Sequence, residues 1–449
     1  MNDTICALAT APGGALGIIR ISGAQSLEIL SRIFSKDLSQ AKPNTIHYGH
    51  IADIDEVLVS VFRAPHSYTG EDSAEISCHG SSYILNKVLE LLTTNGCRMA
   101  NPGEYTQRAY LNGKLDLSQA EAVADLIASS NKATHQLAMS QLRGGISTEL
   151  SILREQLLKL TSLLELELDF SDHEDLEFAD RTELVDITNK IDKHIIKLSQ
   201  SFELGQAIKQ GIPVAIVGKT NVGKSTLLNR LLREERAIVS NIHGTTRDTI
   251  EDTIDLQGIT FRFIDTAGIR QTADQVEQIG IERTYAAIDK ARIVIWVIDK
   301  EPSQEDYQKI LKAAKGKSLI IAHNKIDRDE ENRSSFTPID GTNYFTSISI
   351  SAKYDINIDQ LEQTIYQAAN ISSLSDSDII VTNARHYDAL TRAHEHLKRV
   401  LDGLNNQLSG DILSEDLRLT LDTLAEITGN QITPNEVLEN IFKNFCVGK

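Results

Sequence analysis

Residues 218–225 read GKTNVGKS, and they directly follow the apolar run VAIV at residues 214–217. An apolar strand, a glycine-containing turn and a helix start in this order are typical of a P-loop, whose backbone N–H groups surround phosphate oxygens. We expect Lys224 to reach the β and γ phosphate oxygens and Ser225 to bind Mg²⁺. The stretch therefore predicts an α/β nucleotide-binding fold in this part of the chain.

Four further sequence boxes follow the P-loop, in the order of a guanine-nucleotide-binding domain. They read GTTRD at residues 244–248, DTAG at 265–268, NKID at 324–327 and SAK at 351–353. A single P-loop pattern arises by chance in unrelated chains, whereas five boxes in register do not. The sequence therefore predicts a GTPase.

The fourth box indicates the base. Asp327 is able to accept hydrogen bonds from the ring N–H and the exocyclic amine of guanine, and adenine offers neither donor in that arrangement. Leaving such a carboxylate unpartnered costs about 1–3 kcal/mol, so ATP is disfavoured. A lone NKxD pattern is usually a solvated loop, but this one follows a P-loop and the strand-like run 318–322. We expect Asn324 and Lys325 to brace the loop and cover the purine, and the fifth box to donate a backbone N–H to guanine O6.

The five boxes, together with Thr226 directly after the first box, give the predicted GTP contacts. These are Asn221, Val222, Gly223, Lys224, Ser225, Thr226, Gly244, Thr245, Thr246, Asp265, Thr266, Ala267, Gly268, Asn324, Lys325, Asp327, Ser351, Ala352 and Lys353.

The composition and net charge of the chain limit the kinds of partner that it can bind. The chain has 449 residues, enough for several domains, and a net charge of −18. A protein that binds a polyanion by itself usually shows a basic excess or a basic block, and the sequence has neither. Any contact with nucleic acid is therefore expected to be local or shared with a more basic partner.

The sequence also predicts a cytoplasmic location. No run approaches 18 consecutive apolar residues, and the N-terminus lacks a basic segment, so we expect no signal peptide and no membrane span. The four cysteines, Cys6, Cys78, Cys97 and Cys446, form no CxxC pair and suit a reducing compartment.

The texture of the sequence divides the chain into four segments, which predicts a multidomain protein. Residues 1–116 indicate an α+β domain, with strands at 5–9, 16–21, 45–51, 57–62 and 73–78 and helices at 82–94 and 104–111. Residues 117–209 and 372–449 have helical periodicity, which predicts one all-α domain in two parts. The α/β P-loop domain, 210–371, is therefore predicted to be inserted into the helical domain.

Two features bear on catalysis. The position after DTAG, which holds a water-orienting glutamine in signalling GTPases, is Ile269 here, so another group must orient the water. Glu277, near the start of the helical pattern 276–288, is one candidate, although a helix N-terminus favours a carboxylate in any case. The amide oxygen of Asn221 suits a monovalent cation that would supply positive charge, and Arg247 and Arg270 are the competing candidates.

The acidic stretch 169–180 matches no EF-hand spacing and is interpreted as a solvated turn.

Several motifs outside the five boxes carry a resemblance that covers the whole chain. They are APGGALGIIRISG at residues 11–23, YTGED at 68–72, NGKLDLSQAEA at 112–122 and the tail FCVGK at 445–449. Together with the domain order, GTTRD and Ile269, they resemble the MnmE (TrmE) family of tRNA-modification GTPases.

The resemblance implies partners and cofactors. It implies a homodimer, joined through the N-terminal domains, that forms a heterotetramer or larger assembly with a flavin-dependent (MnmG-type) partner, FAD being bound by the partner alone. It implies that the two add an aminomethyl or carboxymethylaminomethyl group to carbon 5 of the wobble uridine of tRNA. The one-carbon unit would come from a 5-formyl or 5,10-methylene tetrahydrofolate.

The resemblance also assigns residues. Arg20, Glu75, Lys114 and Lys449 are implied to bind the folate. Asn221, Ser240, Ile242 and Thr245 are implied to hold K⁺ in place of an arginine finger, with Asn241 and His243 in the same GTP-contacting loop, and Ser225 and Thr246 to hold Mg²⁺. The implied catalytic residues are Glu277, which would orient the water, Lys224 and Thr246. Cys446 is expected to contact the folate or tRNA, to act as a nucleophile, or simply to be buried.

Two other functions fit a GTPase without the catalytic glutamine. A ribosome-assembly GTPase usually carries a basic RNA-binding module, which this acidic chain does not show. A dynamin-like scaffold would need a basic or amphipathic lipid-binding surface, whereas the helical segments here have the pattern of internal bundle faces. A folate site distinguishes the tRNA-modifying reading from both.

Overall fold

The fold was analysed in a computed structural model. It describes residues 3–169, 181–232, 252–264, 277–328, 344–370 and 379–429, with 438, 441–443, 445 and 448; the side chains of 165–169, 277–283 and 344 are not described. The chain forms two compact units. Unit 1 contains Met1–Ala128, Ala138–Lys197 and Arg385–Lys449, and unit 2 contains Ser129–Leu137 and Leu198–Ala384.

Unit 1 begins with a six-stranded sheet of order β3-β4-β5-β2-β1-β6, antiparallel except between β1 and β6. The strands are β1 (Thr4–Leu8), β2 (Leu16–Ser22), β3 (Thr45–Ile51), β4 (Asp55–Phe62), β5 (Ser73–His79) and β6 (Cys97–Met99). The accompanying helices are α1 (Ser26–Ile33), α2 (Ser82–Thr94) and α3 (Glu104–Leu111). The five predicted strands and two predicted helices are confirmed. The sequence did not predict α1 or β6; the three residues of β6 are too few to show a clear period.

Strand alternation fixes which side chains of this sheet face the core. In β2, Ile19 and Ile21 are buried in the apolar core, and in β5 Ala74 and Ile76 join them. Since successive side chains point to opposite faces, Arg20 and Glu75 lie together on the other face. The two residues are also direct partners in the β2–β5 ladder.

The remaining described helices of the helical region follow the predicted texture. They are α4 (Leu117–Ala128), α5 (Lys132–Leu142), α6 (Gly145–Asp169), α7 (Arg181–Gln210), α12 (Ala384–Asn405) and α13 (Gly410–Thr428). On α6, Leu157, Leu160 and Leu164 are fully buried and Leu163 is partly buried, in agreement with the helical periodicity of this segment. No helix in the described ranges is long and apolar enough to cross a membrane. Residues 170–180, most of the acidic stretch, lie outside the described residues.

A buried ionic cluster joins α4 to the start of α12. The Glu121 carboxylate accepts hydrogen bonds from Arg385 Nε and Nη2, both at 2.9 Å, and lies 2.8 Å from His386 Nε2. Burial of Glu121 opposes its charged form, but the contacts from His386 and Arg385 outweigh burial and hold its pKa below the ordinary value. His386 is fully buried. The cluster therefore anchors the start of α12 to α4 within unit 1.

Unit 2 contains a second six-stranded sheet, of order β12-β11-β10-β7-β9-β8. Its strands are β7 (Ile212–Val217), β8 (Asp252–Leu256), β9 (Ile259–Phe263), β10 (Ile293–Ile298), β11 (Ser318–His323) and β12 (Tyr344–Ser349). Its helices are α8 (Lys224–Leu231), α9 (Glu277–Lys290), α10 (Gln304–Ala313) and α11 (Ile358–Ala368). The strands pair in parallel except in the β8–β9 hairpin, and apolar clusters cover both faces. The predicted α/β P-loop architecture is confirmed.

Unit 2 also includes segments beyond the predicted range 210–371. Ser129–Leu137, here called the connector, docks on the β8–β9 turn: Ala133 N–H donates to Gly258 O at 3.0 Å, and Asn131 Nδ2 to Thr260 Oγ1 at 2.8 Å. Ala133 and Leu137 also pack against the core of this unit. A continuous amphipathic pattern does not mark where one core ends and another begins, so the sequence did not reveal these segments. The predicted division into four segments stays a prediction.

The Glu121 cluster generates a stability prediction. Glu121→Gln leaves Arg385 and His386 without their anion, so we expect the local free energy of unfolding of α4 and α12 to fall by about 3 kcal/mol. Native-state hydrogen exchange of these helices measures it. Because the folded pKa of Glu121 lies below the unfolded value of about 4.3, the stabilisation is present above that pH and is lost as pH falls through the folded value.

Glu426→Gln is the matched control for this prediction. Its partner is Arg392, and the two side chains are 45% and 41% exposed, so we expect a change below about 1 kcal/mol. Equal effects of the two substitutions would contradict the assignment of stability to the buried cluster.

Candidate functional sites

The P-loop links β7 to α8 and depends on two glycines. Gly218 and Gly223 have φ of +151° and +101°. A Cβ on Gly218 would lie 2.3 Å from Val297 O, and one on Gly223 would lie 2.2 Å from Asn324 Nδ2. The turn therefore needs glycine both for its backbone conformation and for its close packing. Helix α8 begins directly after it, at Lys224, with its N-terminus at the loop.

The Lys224 ammonium lies across this loop. Its Nζ donates to the carbonyl oxygens of Gly218 and Lys219, each at 2.7 Å. Burial lowers the pKa of the Lys224 ammonium. An ammonium has three donors, so Lys224 keeps capacity for a phosphate oxygen at the mouth of the loop. Ser225 and Thr226 follow in the first turn of α8 and are exposed.

The side-chain amide of Asn324 connects three of the boxes. Its Nδ2 donates to Val222 O in the P-loop at 2.8 Å, and its Oδ1 accepts from Ala352 N–H in the fifth box at 3.0 Å. Asn324 is 7% exposed, so these bonds satisfy a buried polar group. The amide therefore holds the phosphate loop and the base loops in one arrangement.

Lys325 makes a second link between the fourth box and the P-loop. Its Nζ donates to Asn221 O and to Asp299 Oδ2, each at 2.7 Å. Asp299 follows β10 and was not among the predicted site residues, since nothing in the sequence marks a single aspartate after a strand. Its carboxylate fixes the ammonium, and thereby the stem predicted to cover the purine.

Asp327 is held ready to accept hydrogen bonds. Ser351 Oγ donates to Asp327 Oδ1 at 2.6 Å, and this bond holds the pKa of the Asp327 carboxyl below its usual value. Ser351 is fully buried, whereas Asp327 is exposed. The carboxylate is therefore charged near neutral pH and oriented from beneath by the fifth box. The predicted hydrogen bonds to guanine are compatible with this geometry.

Part of the predicted GTP and metal site lies outside the described residues. This holds for Ser240, Asn241, Ile242, His243, Gly244, Thr245, Thr246, Asp265, Thr266, Ala267 and Gly268, and for Arg247, Ile269 and Arg270. Glu277 is described as the first residue of α9, but its side chain is not described.

A second polar site lies on the face of the unit 1 sheet that is opposite the apolar cluster of Ile19, Ile21, Ala74 and Ile76. Arg20 Nε and Nη2 donate to Glu75 Oε1 at 2.9 Å and 2.6 Å, and Arg20 Nη1 donates to Gly448 O at 3.0 Å. Gly448 has φ +95°, and a Cβ there would lie 2.4 Å from Leu8 O. The pair therefore binds the C-terminal tail next to the strands. Lys449 and Cys446 lie outside the described residues.

Two tyrosines flank the Arg20 guanidinium. The rings of Tyr68 and Tyr105 have their centroids 5.9 Å and 5.6 Å from Arg20 Cζ. Tyr105 is fully buried and donates to Arg20 O at 2.8 Å, whereas Tyr68 is 42% exposed. Burial raises the pKa of the Tyr68 hydroxyl, so this group stays neutral. Tyr68 was missed as a site residue, although it begins the YTGED motif.

Lys114 is not in direct contact with this pair. Its Nζ donates to Pro65 O at 3.0 Å, in the loop that leads to Tyr68. Among the described contacts, none joins Lys114 to Arg20 or Glu75. The structure thus brings Arg20, Glu75 and the tail together and places Lys114 beside the same loop. In the described part of the chain, no group of three or more His, Cys, Asp or Glu residues is arranged to hold a metal ion.

Comparisons with known proteins identify the family. A family model described as "MnmE helical domain" matches residues 117–446, and one described as "GTP-binding protein TrmE N-terminus" matches residues 4–114. Among solved structures, the G domain of the T. maritima FeoB iron transporter is 26% identical and covers 35% of this chain and 98% of that chain; its TM-score of 0.25 is too low to carry an argument.

Curated relatives match over the full length. A tRNA modification GTPase MnmE from Bacteroides fragilis is 55% identical, with 100% of both chains covered. Proteins of the same name from Phocaeicola vulgatus and Porphyromonas gingivalis are 54% and 51% identical; all of this chain is covered, with 99% and 98% of theirs. These matches confirm the resemblance seen in the motifs. The chain therefore belongs to the MnmE (TrmE) family of tRNA modification GTPases.

Proposed function

We propose that this GTPase modifies carbon 5 of the wobble uridine of tRNA, together with a flavin-dependent partner, and takes a one-carbon unit from tetrahydrofolate. The group added is aminomethyl or carboxymethylaminomethyl. The observation that carries this proposal is the Arg20–Glu75 pair, which sits beside the C-terminal tail in unit 1, whereas the nucleotide boxes described in the structure belong to unit 2.

The residues of the unit 1 site fit a folate. A folate has a carboxylate tail, for which an arginine is the matching donor, and a pterin ring with N–H donors, for which a glutamate is the matching acceptor. The exposed part of the Tyr68 ring offers an apolar surface for a flat heterocycle. When bound, the folate supplies the one-carbon unit. Arg20 and Glu75 would hold it, with Lys114 and Lys449 completing the site and Cys446 near it.

GTP hydrolysis is proposed to use K⁺ in place of an arginine finger. Asn221 has φ +63° in the turn before α8 and is exposed, and its backbone oxygen is used by Lys325, so its side-chain oxygen is the group left for a cation. Ser240, Ile242 and Thr245 would complete the K⁺ site, and Ser225 and Thr246 would hold Mg²⁺. Either ion would supply positive charge near the β–γ bridge. Glu277 would orient the attacking water at the start of α9.

Hydrolysis is proposed to gate the modification and not to supply its chemistry. The connector offers a route for such gating, since Asn131 and Ala133 bond to the β8–β9 hairpin. This hairpin lies in the chain between the second box, which ends at Asp248, and the third, which begins at Asp265. The connector continues directly into residues 128 and 138 of unit 1. Pairing of two GTPase domains in a homodimer would act through the same boxes.

The partner is proposed to supply much of the tRNA contact. With a net charge of −18, this chain needs a more basic surface to hold tRNA. A homodimer joined to an MnmG-type protein that carries FAD, in a heterotetramer or larger assembly, provides it. Because the substrate is tRNA, we place the reaction in the cytoplasm.

The folate site is tested by calorimetric titration of 5-formyl-tetrahydrofolate into the nucleotide-free protein. We expect saturable binding that Arg20→Ala abolishes, because the guanidinium is the group that would donate hydrogen bonds to the folate carboxylate. Tyr68→Phe should leave the affinity unchanged and Tyr68→Ala should weaken it about tenfold or more, since stacking depends on the ring. Absence of binding to the unmutated protein would refute folate use and leave the GTPase activity untouched.

The cation mechanism is tested by replacing Asn221. We expect Asn221→Gly to remove the stimulation of GTP hydrolysis by KCl relative to NaCl while nucleotide binding is retained, because glycine accepts the positive φ and lacks the side-chain oxygen. Asn221→Ala should lose the same stimulation, with some added backbone strain. Equal hydrolysis rates of the unmutated protein in KCl and NaCl would exclude the mechanism.

Gating is tested by measuring hydrolysis and tRNA modification separately, with the partner present. Glu277→Ala should reduce hydrolysis by at least about a hundredfold and reduce modification with it. Asn131→Ala removes the bond to Thr260, so we expect near-normal hydrolysis and a lower modification rate. Full modification by the Glu277→Ala protein would show that hydrolysis is not needed, and normal modification by Asn131→Ala would exclude the connector route.

A further inference from the structure

Helix α8 places one arginine at the opposite end from the phosphate-binding lysine. The helix runs from Lys224 to Leu231, which makes it about 12 Å long, and Arg230 lies in its last turn. Arg230 Nε donates to Ala352 O at 3.2 Å, and Arg230 Nη2 donates to Lys353 O at 3.0 Å. The helix that begins at the phosphate loop thus ends on the loop that faces the base.

These contacts restrain the backbone of the fifth box from outside. Ser351 and Ile356 exchange two backbone hydrogen bonds of 3.1 Å, which close the loop between them. Arg230 binds two successive carbonyl groups inside this loop, a geometry that the forked guanidinium allows. Asp355 Oδ1 lies 3.9 Å from Arg230 Nε, so a carboxylate of the same loop also forms an ion pair with the guanidinium.

The contacts are not those of a simple helix-end charge. A cation in the last turn of a helix interacts favourably with the carbonyl groups of that helix. The two hydrogen bonds of Arg230 go instead to Ala352 and Lys353, more than a hundred residues further along the chain. A role in the nucleotide site therefore accounts for its contacts better than a role in α8 alone.

We propose that Arg230 is a positioning residue for guanine recognition. By holding the carbonyl groups of Ala352 and Lys353, it fixes the peptide planes of the fifth box. The N–H groups at the opposite edge of these planes are fixed with them. The same loop contains Ser351, whose hydroxyl orients Asp327. Because α8 is continuous, the base loop is held at a fixed distance from the phosphate loop.

The proposal predicts a selective loss of base affinity. Without Arg230, the fifth box is less well ordered, so contacts to guanine weaken. The phosphate contacts depend on the first turn of α8, on Lys224 and on the glycines of the P-loop, whereas the hydrogen bonds of the Arg230 side chain go to the fifth box. Guanine nucleotides should therefore be affected, and a ligand consisting of phosphate alone should not.

The experiment compares Arg230→Met and Arg230→Lys with the unmutated full-length protein. Dissociation of a fluorescent GDP is followed by stopped flow, and GDP and inorganic pyrophosphate are used as competitors. We expect Arg230→Met to weaken GDP binding about tenfold, mainly through faster dissociation, and to leave pyrophosphate competition unchanged. Arg230→Lys should give an intermediate loss, since one ammonium replaces the fork. Arg154→Met, an exposed arginine of α6 in unit 1, is the matched control and should change neither ligand.

Three outcomes would overturn the proposal. Unchanged GDP dissociation in Arg230→Met would show that the clamp does not act on the nucleotide. Equal losses for GDP and pyrophosphate would assign Arg230 to the integrity of the whole site. A lower melting temperature of the nucleotide-free protein, with normal GDP affinity, would assign it to stability alone.

Discussion

The buried amide of Asn324 connects segments that lie more than a hundred residues apart, and the nucleotide site depends on it. Its donor and its acceptor are both used, by Val222 O and by the N–H of Ala352. An unpartnered buried polar group costs about 1–3 kcal/mol, so displacing either loop is penalised at this one side chain. Gly223 allows the amide to approach, because any Cβ there would overlap Asn324 Nδ2. The buried amide of Asn324 therefore requires glycine at position 223.

The unit 1 site depends on a different constraint, the alternation of side chains between the two faces of the sheet. The apolar residues of β2 and β5 face one core, which leaves Arg20 and Glu75 as half-buried ladder partners on the other face of the sheet. The pair is then completed by Gly448 O, from the far end of the chain. Gly448 has a positive φ, and a Cβ there would lie 2.4 Å from Leu8 O, so this contact needs glycine at position 448. The Arg20–Glu75 pair and Gly448 thus form one site.

The fold could be predicted from the sequence because the sequence signals for its helices, strands and turns are local. The P-loop glycines, the apolar strand of residues 214–217 and the helix at residues 104–111 each predict their own structure within a few residues. The family resemblance, and no local signal, implied that Arg20 and Lys449 share a folate site; the structure brings the neighbouring Gly448 to Arg20, 428 positions away. Asp299, Arg230 and the connector were not predicted. Their roles arise from contacts between distant segments, and a single charged residue or a continuous amphipathic helix carries no mark of its partner.

The ion pairs in the helical part of unit 1 bear on whether this region provides a surface for tRNA. Arg385 is neutralised by Glu121, Arg392 by Asp388 and Glu426, and Arg399 by Asp416. Because a carboxylate partner neutralises each of these arginines, each adds little to the positive potential that attracts a polyanion. Arginines along α12 are therefore poor candidates for a polyanion surface, although the helix is rich in them. The acidic chain holds these cations within its own packing, which supports the proposal that a more basic partner supplies much of the tRNA contact.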